Sequence, residues 1–345
     1  MKMKAAVLHD PKKLSIDEVE VPALRDDEVL VKVKATAICG TDLAFYLGKI
    51  PIDYPQVLGH EGVGIVEEVG KDVKGFTKGD HVIFNPAYFC GHCFYCEREL
   101  WNCCENGGLL GRDRYGCFAE YVTVPGNSVI PLPKEISWED GSTIQSLATV
   151  LRGWERIESV ATPQKGDVVV VIGTGTPGLL FTRLAVLAGA TVFASDRIEW
   201  KRDLAAKFGA IAVDPTKEDL EQLVKDASEG RGADFVIEAA GVPFTFQTGF
   251  NVARPGATML AFGIQKDMGG VNGYDFYFKE VTVVGTRAMT NRTYKRAIEL
   301  FQTGEFDLKT LVTDRFKLEE LQANFDEMAE NPSAHNRMVC FINQD

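Results

Sequence analysis

The stretch Ile38–Gly64, ICGTDLAFYLGKIPIDYPQVLGHEGVG, brings together side chains that could do chemistry. Cys39 is followed by the hydroxyl of Thr41 and the carboxylate of Asp42, and His60 and Glu61 stand among Gly59, Gly62 and Gly64. Thiolate, imidazole and carboxylate are the side chains that zinc prefers. Small glycines beside them let two backbone segments close on one ion. A second cluster lies in FCGHCFYCERELWNCC, where Cys90, Cys93, Cys96 and Cys104 give the spacing C-x2-C-x2-C-x7-C. Four thiolates complete a tetrahedron and leave no open coordination position, so this loop, about 90–104, predicts a structural zinc. Cys103 is the spare, and His92 lies inside the loop as a further candidate donor.

A third constellation runs from VVVVIGTGTPGLL to TVFASD. The apolar β-formers Val168 to Ile172 suit a strand buried on both faces, and they lead directly into Gly173-x-Gly175-x-x-Gly178. Thr176 and Pro177 open a helical pattern that continues through Leu187, and the next strand ends at Asp196. Strand, glycines, helix, strand and terminal carboxylate in this order form the dinucleotide fingerprint. Its glycines let the backbone approach a pyrophosphate, which the free N–H groups of the helix N-terminus can bind. Asp196 would accept hydrogen bonds from the adenosine ribose and repel a 2′-phosphate, which favours NAD. Arg197 is the dissenting signal, since an arginine here could cradle that phosphate.

The elements that must hold these groups are legible in outline. AAVLH, EVEVP and EVLVKVKATAI read as strands, with Val29, Val31 and Val33 on one face and Lys32 and Lys34 on the other. GIVEEVG, DHVIF, FAEYVTVP and SVIPLP add further strands, so the N-terminal part is β-rich and Cys39 follows a strand. Ser137, with Asp140 three residues on, predicts the start of a helix from about 138 to 160, which carries Gln145, Thr149 and Arg152. Beyond Asp196, helices near 198–207, 217–229 and 245–252 alternate with strands IAV, DFVIEAAG, ATMLAFG and VTVVGT. This alternation predicts a doubly wound parallel sheet over about 153–287. The tail, with helices TYKRAIELFQTGEF and LEELQANFDEMAE and strand RMVCFI, holds no further nucleotide unit and is expected to return to the first domain.

Size and composition limit the alternatives. A chain of 345 residues, 45% hydrophobic and with 33 glycines, is long enough for two domains with substantial cores. A net charge of −12 argues against a nucleic-acid surface and against a polybasic membrane patch. No apolar run approaches the roughly 20 residues of a membrane span. MKMKAAVLHD lacks a signal-peptide apolar region, so a cytoplasmic location is expected. Five of the eight cysteines fall between positions 90 and 104, which in such a chain points to metal rather than to disulfides.

The order of motifs resembles the zinc-containing medium-chain dehydrogenase/reductase superfamily, nearest its sorbitol, threonine and secondary-alcohol dehydrogenase branch. Cys39 with Gly-Thr-Asp, GHEGVG, the four-cysteine loop, GRDRYGCFAEY and GTGTPG carry the resemblance, which spans essentially the whole chain. It implies an α/β protein with a GroES-like β-rich catalytic domain, 1–152 and 288–345, and a Rossmann NAD-binding domain, 153–287, with the active site in the cleft between them. Cys39 and His60 then match two catalytic zinc ligands, and Glu61 matches a carboxylate that binds the metal directly in some members and stands behind it in others. Thr41 matches the hydroxyl that takes the substrate proton, Thr149 a residue near the nicotinamide, and Cys104 rather than Cys103 the fourth structural ligand. Two zinc ions per chain, NAD, a small alcohol or ketone substrate and a homodimer or homotetramer are what the resemblance implies.

Three positions depart from the pattern. A relay histidine of many members is Ala44 here, so proton exit is expected through water. The position that carries a Cys, Asp or Glu in many relatives is Gln145, so either Glu61 ligates the metal directly or Gln145 contacts the substrate. An arginine of polyol-specific members is replaced by Ala288, with Arg287 displaced by one position and Arg292 further on. Phe45, Tyr46 and Phe118 suggest a more apolar pocket wall, with simple core packing as the alternative. The expected activity is oxidation of a secondary hydroxyl of a polyol, sugar derivative or cyclic alcohol. A zinc-independent NAD(P)H reductase and a non-catalytic NAD-binding protein are the competing readings. The Cys39, His60 and Glu61 set weighs against both.

Overall fold

β-Branched runs in the N-terminal part form a sheet around the strand Glu28–Ala37. In the computed structural model, which describes residues 1–265 and 270–344, the chain divides into two compact units. One comprises Met1–Ala148 with Ala288–Asp345, the other Thr149–Arg287. The first is built on a sheet in the order Val129–Pro131, His81–Phe84, Gly62–Val69, Glu28–Ala37, Arg337–Phe341 and Val312–Lys317, with Tyr121–Pro125 also paired to Glu28–Ala37. Antiparallel partners on both sides cover the central strand, so Val29, Val31 and Val33 are buried as their alternation predicts. Lys34 differs from its expected exposure: it is buried, and its ammonium donates to the Asn343 carbonyl at 2.7 Å. The chain end that covers it lies too far away in sequence for alternation to reveal.

Phe45, Tyr46 and Phe118 belong to the buried core of this unit, the packing alternative. Tyr46 stacks on Phe325 at 4.8 Å between ring centroids, and Phe118 meets the same ring edge-on at 6.0 Å. The Tyr46 hydroxyl donates to Asp326 at 2.7 Å, which satisfies its polar end.

The second unit has six parallel strands in the order Ile211–Val213, Thr191–Ser195, Val168–Ile172, Ala233–Glu238, Ala253–Ala261 and Thr282–Gly285. Every residue of Val168–Ile172 is buried, as a central parallel strand with helices on both faces requires. The chain adds two strands to one side of it and then three to the other, so the order reverses between Val168–Ile172 and Ala233–Glu238. The helix expected over 217–229 is shorter, Leu220–Ala227, because Asp219 caps it by accepting the Gln222 N–H at 3.1 Å. A helix at Gly273–Lys279, capped by Asn272, has no counterpart in the sequence reading. Tyr274, Tyr277 and Phe278 recur at helical spacing, but seven residues are too short a run for that period to stand out, and none of them is buried.

The boundary at Ala148 falls within the helix Trp138–Glu158. This helix starts as expected, with the Asp140 N–H donating to Ser137 Oγ at 3.1 Å. Among the described residues no helix is long and apolar enough to cross a membrane.

Candidate active site

Cys39 stands at the junction of the strand Glu28–Ala37 and the short helix Gly40–Tyr46. His60 and Glu61 immediately precede the neighbouring strand Gly62–Val69. Gly59 adopts φ +96°, and a Cβ there would lie 2.7 Å from the Phe118 ring, so a larger residue could not bring His60 into place. As a result one ligand atom from each of Cys39, His60 and Glu61 lies within 4.8 Å of the others. Thr41 is half-buried on the same short helix as Asp42.

Asp42 organises this group and is fully buried. One of its oxygens accepts the Cys39 N–H at 3.0 Å, and the other accepts His60 Nδ1–H at 2.9 Å and the Gly59 N–H at 3.2 Å. A carboxylate on Nδ1 fixes the tautomer and turns Nε2 toward a metal. Burial disfavours the imidazolium, yet the charges of Asp42 and Cys39 outweigh it and hold the His60 pKa well above its ordinary value. Donors of this chemistry and spacing fit a zinc ion. The sequence signal for Asp42 was a carboxylate three residues after the cysteine that begins the helix.

Two further residues come from the C-terminal segment. Arg337, itself buried, forms an ion pair with Glu61 and donates to the Ser142 carbonyl at 2.6 Å. Tyr294 donates its hydroxyl to Gln145 Oε1 at 2.7 Å, and both residues are fully buried. Burial, followed by the charges of Glu61 and Cys117, raises the Tyr294 pKa well above its ordinary value, so it remains a neutral donor. Neither residue carries a motif that would have marked it. Gln145 thus has its oxygen, the one amide atom suited to a metal, engaged by a hydroxyl.

Cys90, Cys93, Cys96 and Cys104 converge so that all four sulfurs lie within 4.8 Å of one another. Observed separations of 3.5, 3.8 and 4.0 Å compare with about 3.8 Å for a tetrahedron with Zn–S bonds of about 2.3 Å. Cys103 stands outside the cluster, and His92 turns its Nδ1 to the Cys90 carbonyl at 2.9 Å. A hydrogen bond from the His92 backbone leads the effects that hold the Cys90 thiol down to about 6, whereas burial lifts Cys96 to about 12. The set fits one zinc with no open position.

The dinucleotide fingerprint has the expected backbone. Gly173 sits at φ +92°, and a Cβ on Gly178 would lie 1.8 Å from the Gly173 carbonyl oxygen. Gly175 faces open space and caps the helix Thr176–Leu187, with Pro177 in its first turn. Thr174 Oγ1 is buried without a hydrogen-bond partner among the described residues. Asp196 directly follows the strand Thr191–Ser195 and accepts the N–H groups of Thr174 at 2.8 Å and Ile198 at 2.9 Å, and Arg197 beside it is exposed. Open space at a helix N-terminus, an unpartnered hydroxyl and a strand-end carboxylate fit a dinucleotide. Thr149 lies half-buried on the long helix, within the second unit.

Residues 25–134 match the family of alcohol dehydrogenase GroES-like domains, and residues 178–303 match the zinc-binding dehydrogenase family. The chain is 35% identical over 315 residues to an L-threonine 3-dehydrogenase of Pyrococcus abyssi, covering 87% of each. It resembles the structure of 2R,3R-butanediol dehydrogenase from Bacillus subtilis with a TM-score of 0.88 at 29% identity, covering 99% of this chain and all of that one. A zinc-binding dehydrogenase from Sinorhizobium meliloti 1021, solved with NADP, gives a TM-score of 0.89 at 32% identity and covers 99% of both.

Proposed function

Because the chain belongs to the zinc-containing medium-chain dehydrogenase superfamily, we propose that it transfers hydride between a secondary alcohol and NAD, with zinc at Cys39, His60 and Glu61. The observation that carries this reading is the convergence of those three donors around the buried Asp42. Zinc would supply a Lewis acid that acidifies the substrate hydroxyl, and NAD the hydride acceptor. The chain's own residues do the rest. Cys39 and His60 hold the metal, and Asp42 keeps the imidazole oriented. Glu61 has two oxygens, so one can face the Arg337 guanidinium while the other serves the metal. Thr41 Oγ1 takes the substrate proton, which leaves through water because position 44 is an alanine. The N-terminus of Thr176–Leu187 receives the pyrophosphate, and Asp196 the adenosine ribose.

The substrate class is a secondary hydroxyl of a polyol, sugar-derived or cyclic alcohol, in keeping with relatives named for threonine and butanediol. A second reading concerns the cofactor: the exposed Arg197 and the NADP-bound Sinorhizobium structure favour some use of NADP. Metal analysis with an absorbance screen of secondary alcohols and ketones, run with NAD(H) and NADP(H), tests both readings. Two zinc ions per chain and turnover with NAD are expected. One zinc per chain and no turnover with either cofactor would sink the proposal. In Cys39→Ser the zinc content should fall to one per chain and turnover should vanish.

A further inference from the structure

The dinucleotide crevice has a second carboxylate. Glu238 ends the strand Ala233–Glu238, on the far side of the sheet reversal from Asp196. A dinucleotide lies across such a reversal. With Asp196 on the adenosine side, the nicotinamide half falls to the loops that follow Ala233–Glu238 and Ala253–Ala261.

Glu238 holds those loops together while being fully buried. Its Oε1 accepts three donors: the N–H groups of Ala240 at 3.0 Å and Gly241 at 2.9 Å, and the Thr245 hydroxyl at 2.7 Å. Its carbonyl accepts the N–H groups of Phe262 at 3.0 Å and Gly263 at 2.9 Å, which ties in the loop after the next strand. The turn that it shapes rests on the fingerprint itself, since a Cβ on Gly173 would lie 2.8 Å from the Ala240 backbone. A Cβ on Gly263 would lie 2.6 Å from Glu238 Oε2. That second oxygen is buried and has no hydrogen-bond partner among the described residues. A buried acceptor without a donor is costly, and a turn of this length could be closed by a hydroxyl or an amide.

We propose that Glu238 is a positioning residue for the nicotinamide half of the cofactor, because its carboxylate fixes the turn after its own strand, and that turn packs against Gly173 while the Glu238 carbonyl ties in the loop after the next strand. The inference rests on the NAD reading above. Calorimetric titration of the full chain with NADH and with ADP-ribose, which lacks the nicotinamide, tests it. Glu238→Ala should raise the Kd for NADH at least about tenfold and that for ADP-ribose less than about threefold, as the loss of several hydrogen bonds at one end of the ligand predicts. Glu238→Gln keeps an acceptor oxygen for the same donors and should bind both ligands within about threefold of the parent. Should Glu238→Ala fail to fold, Thr245→Val removes one of the three donors and should weaken NADH alone, by about threefold. Equal weakening of NADH and ADP-ribose would mark a general structural defect and overturn the inference, as would a Glu238→Ala variant that binds NADH like the parent. A parent chain that binds neither ligand would overturn the NAD reading and the inference with it.

Discussion

Asp42 shows how much of a metal site lies outside its ligands. Its carboxylate takes three donors, and one of them is the ring of His60. Asp42→Asn preserves shape but removes the charge behind that ring, so metal affinity at Cys39, His60 and Glu61 should fall about 10- to 100-fold, measured by chelator competition. Unchanged affinity would show that Asp42 does not orient His60. Arg337 faces Glu61 where both are buried, so in zinc-stripped protein Arg337→Ala leaves an uncompensated carboxylate. Breaking a buried pair in this way costs about 3–5 kcal/mol, which denaturant unfolding of the variant should read. A loss below about 1 kcal/mol, the range of exposed pairs, would contradict that account. Asp196→Ala removes the carboxylate proposed to receive the adenosine ribose, so the ratio of kcat/KM for NAD over NADP should drop about tenfold, the worth of a hydrogen bond to a charged group. An unaltered ratio would assign cofactor choice elsewhere.

Whole elements behaved according to how local their determinants were. The strand Val168–Ile172, the glycine turn and the helix Thr176–Leu187 occupy contiguous sequence, and their order was legible because each begins where the previous one ends. Gly273–Lys279 was not legible, since seven residues are too short a run for a helical period to stand out. Turn chemistry also sets a pH response in the second unit. Asp214 follows the strand Ile211–Val213, where the Thr216 hydroxyl at 2.6 Å, the Thr216 N–H at 3.0 Å and Arg202 at 3.0 Å hold its carboxyl down to about 2. A folded pKa below the unfolded one contributes stability above the ordinary carboxylate range and loses it as pH falls toward the folded value. Stability should therefore decline between pH about 4 and about 2, and Asp214→Asn should flatten that part of a urea-unfolding series. A variant with the parent's acid profile would remove Asp214 from the explanation. Arg202 also donates to the Asp196 carbonyl at 2.8 Å, so the same guanidinium steadies the residue that follows the strand Thr191–Ser195.

On the scale of the whole molecule, the two units have separate apolar cores, one around Val31, Phe118 and Phe325 and the other around Val170, Val236 and Phe250. Separate cores predict two calorimetric transitions. NADH at a hundred times its Kd should stabilise the unit that carries the glycine turn by about 2.7 kcal/mol, while a chelator should lower the transition of the unit that carries the cysteine loop. A single transition moved equally by both agents would contradict this division. The amino-acid sequence by itself determined the features whose parts lie close together along the chain: the four-cysteine spacing, the glycine turn with its strand-end Asp196, and the residue types at Cys39, His60 and Glu61. Local spacing suffices there, because turns and helix starts bring near neighbours together in any context. Only the tertiary structure decided that Arg337 faces Glu61, that Tyr294 engages Gln145, and that Phe45, Tyr46 and Phe118 form core. Those outcomes depend on which distant segments pack against one another, and burial and charge pairing are properties of that packing.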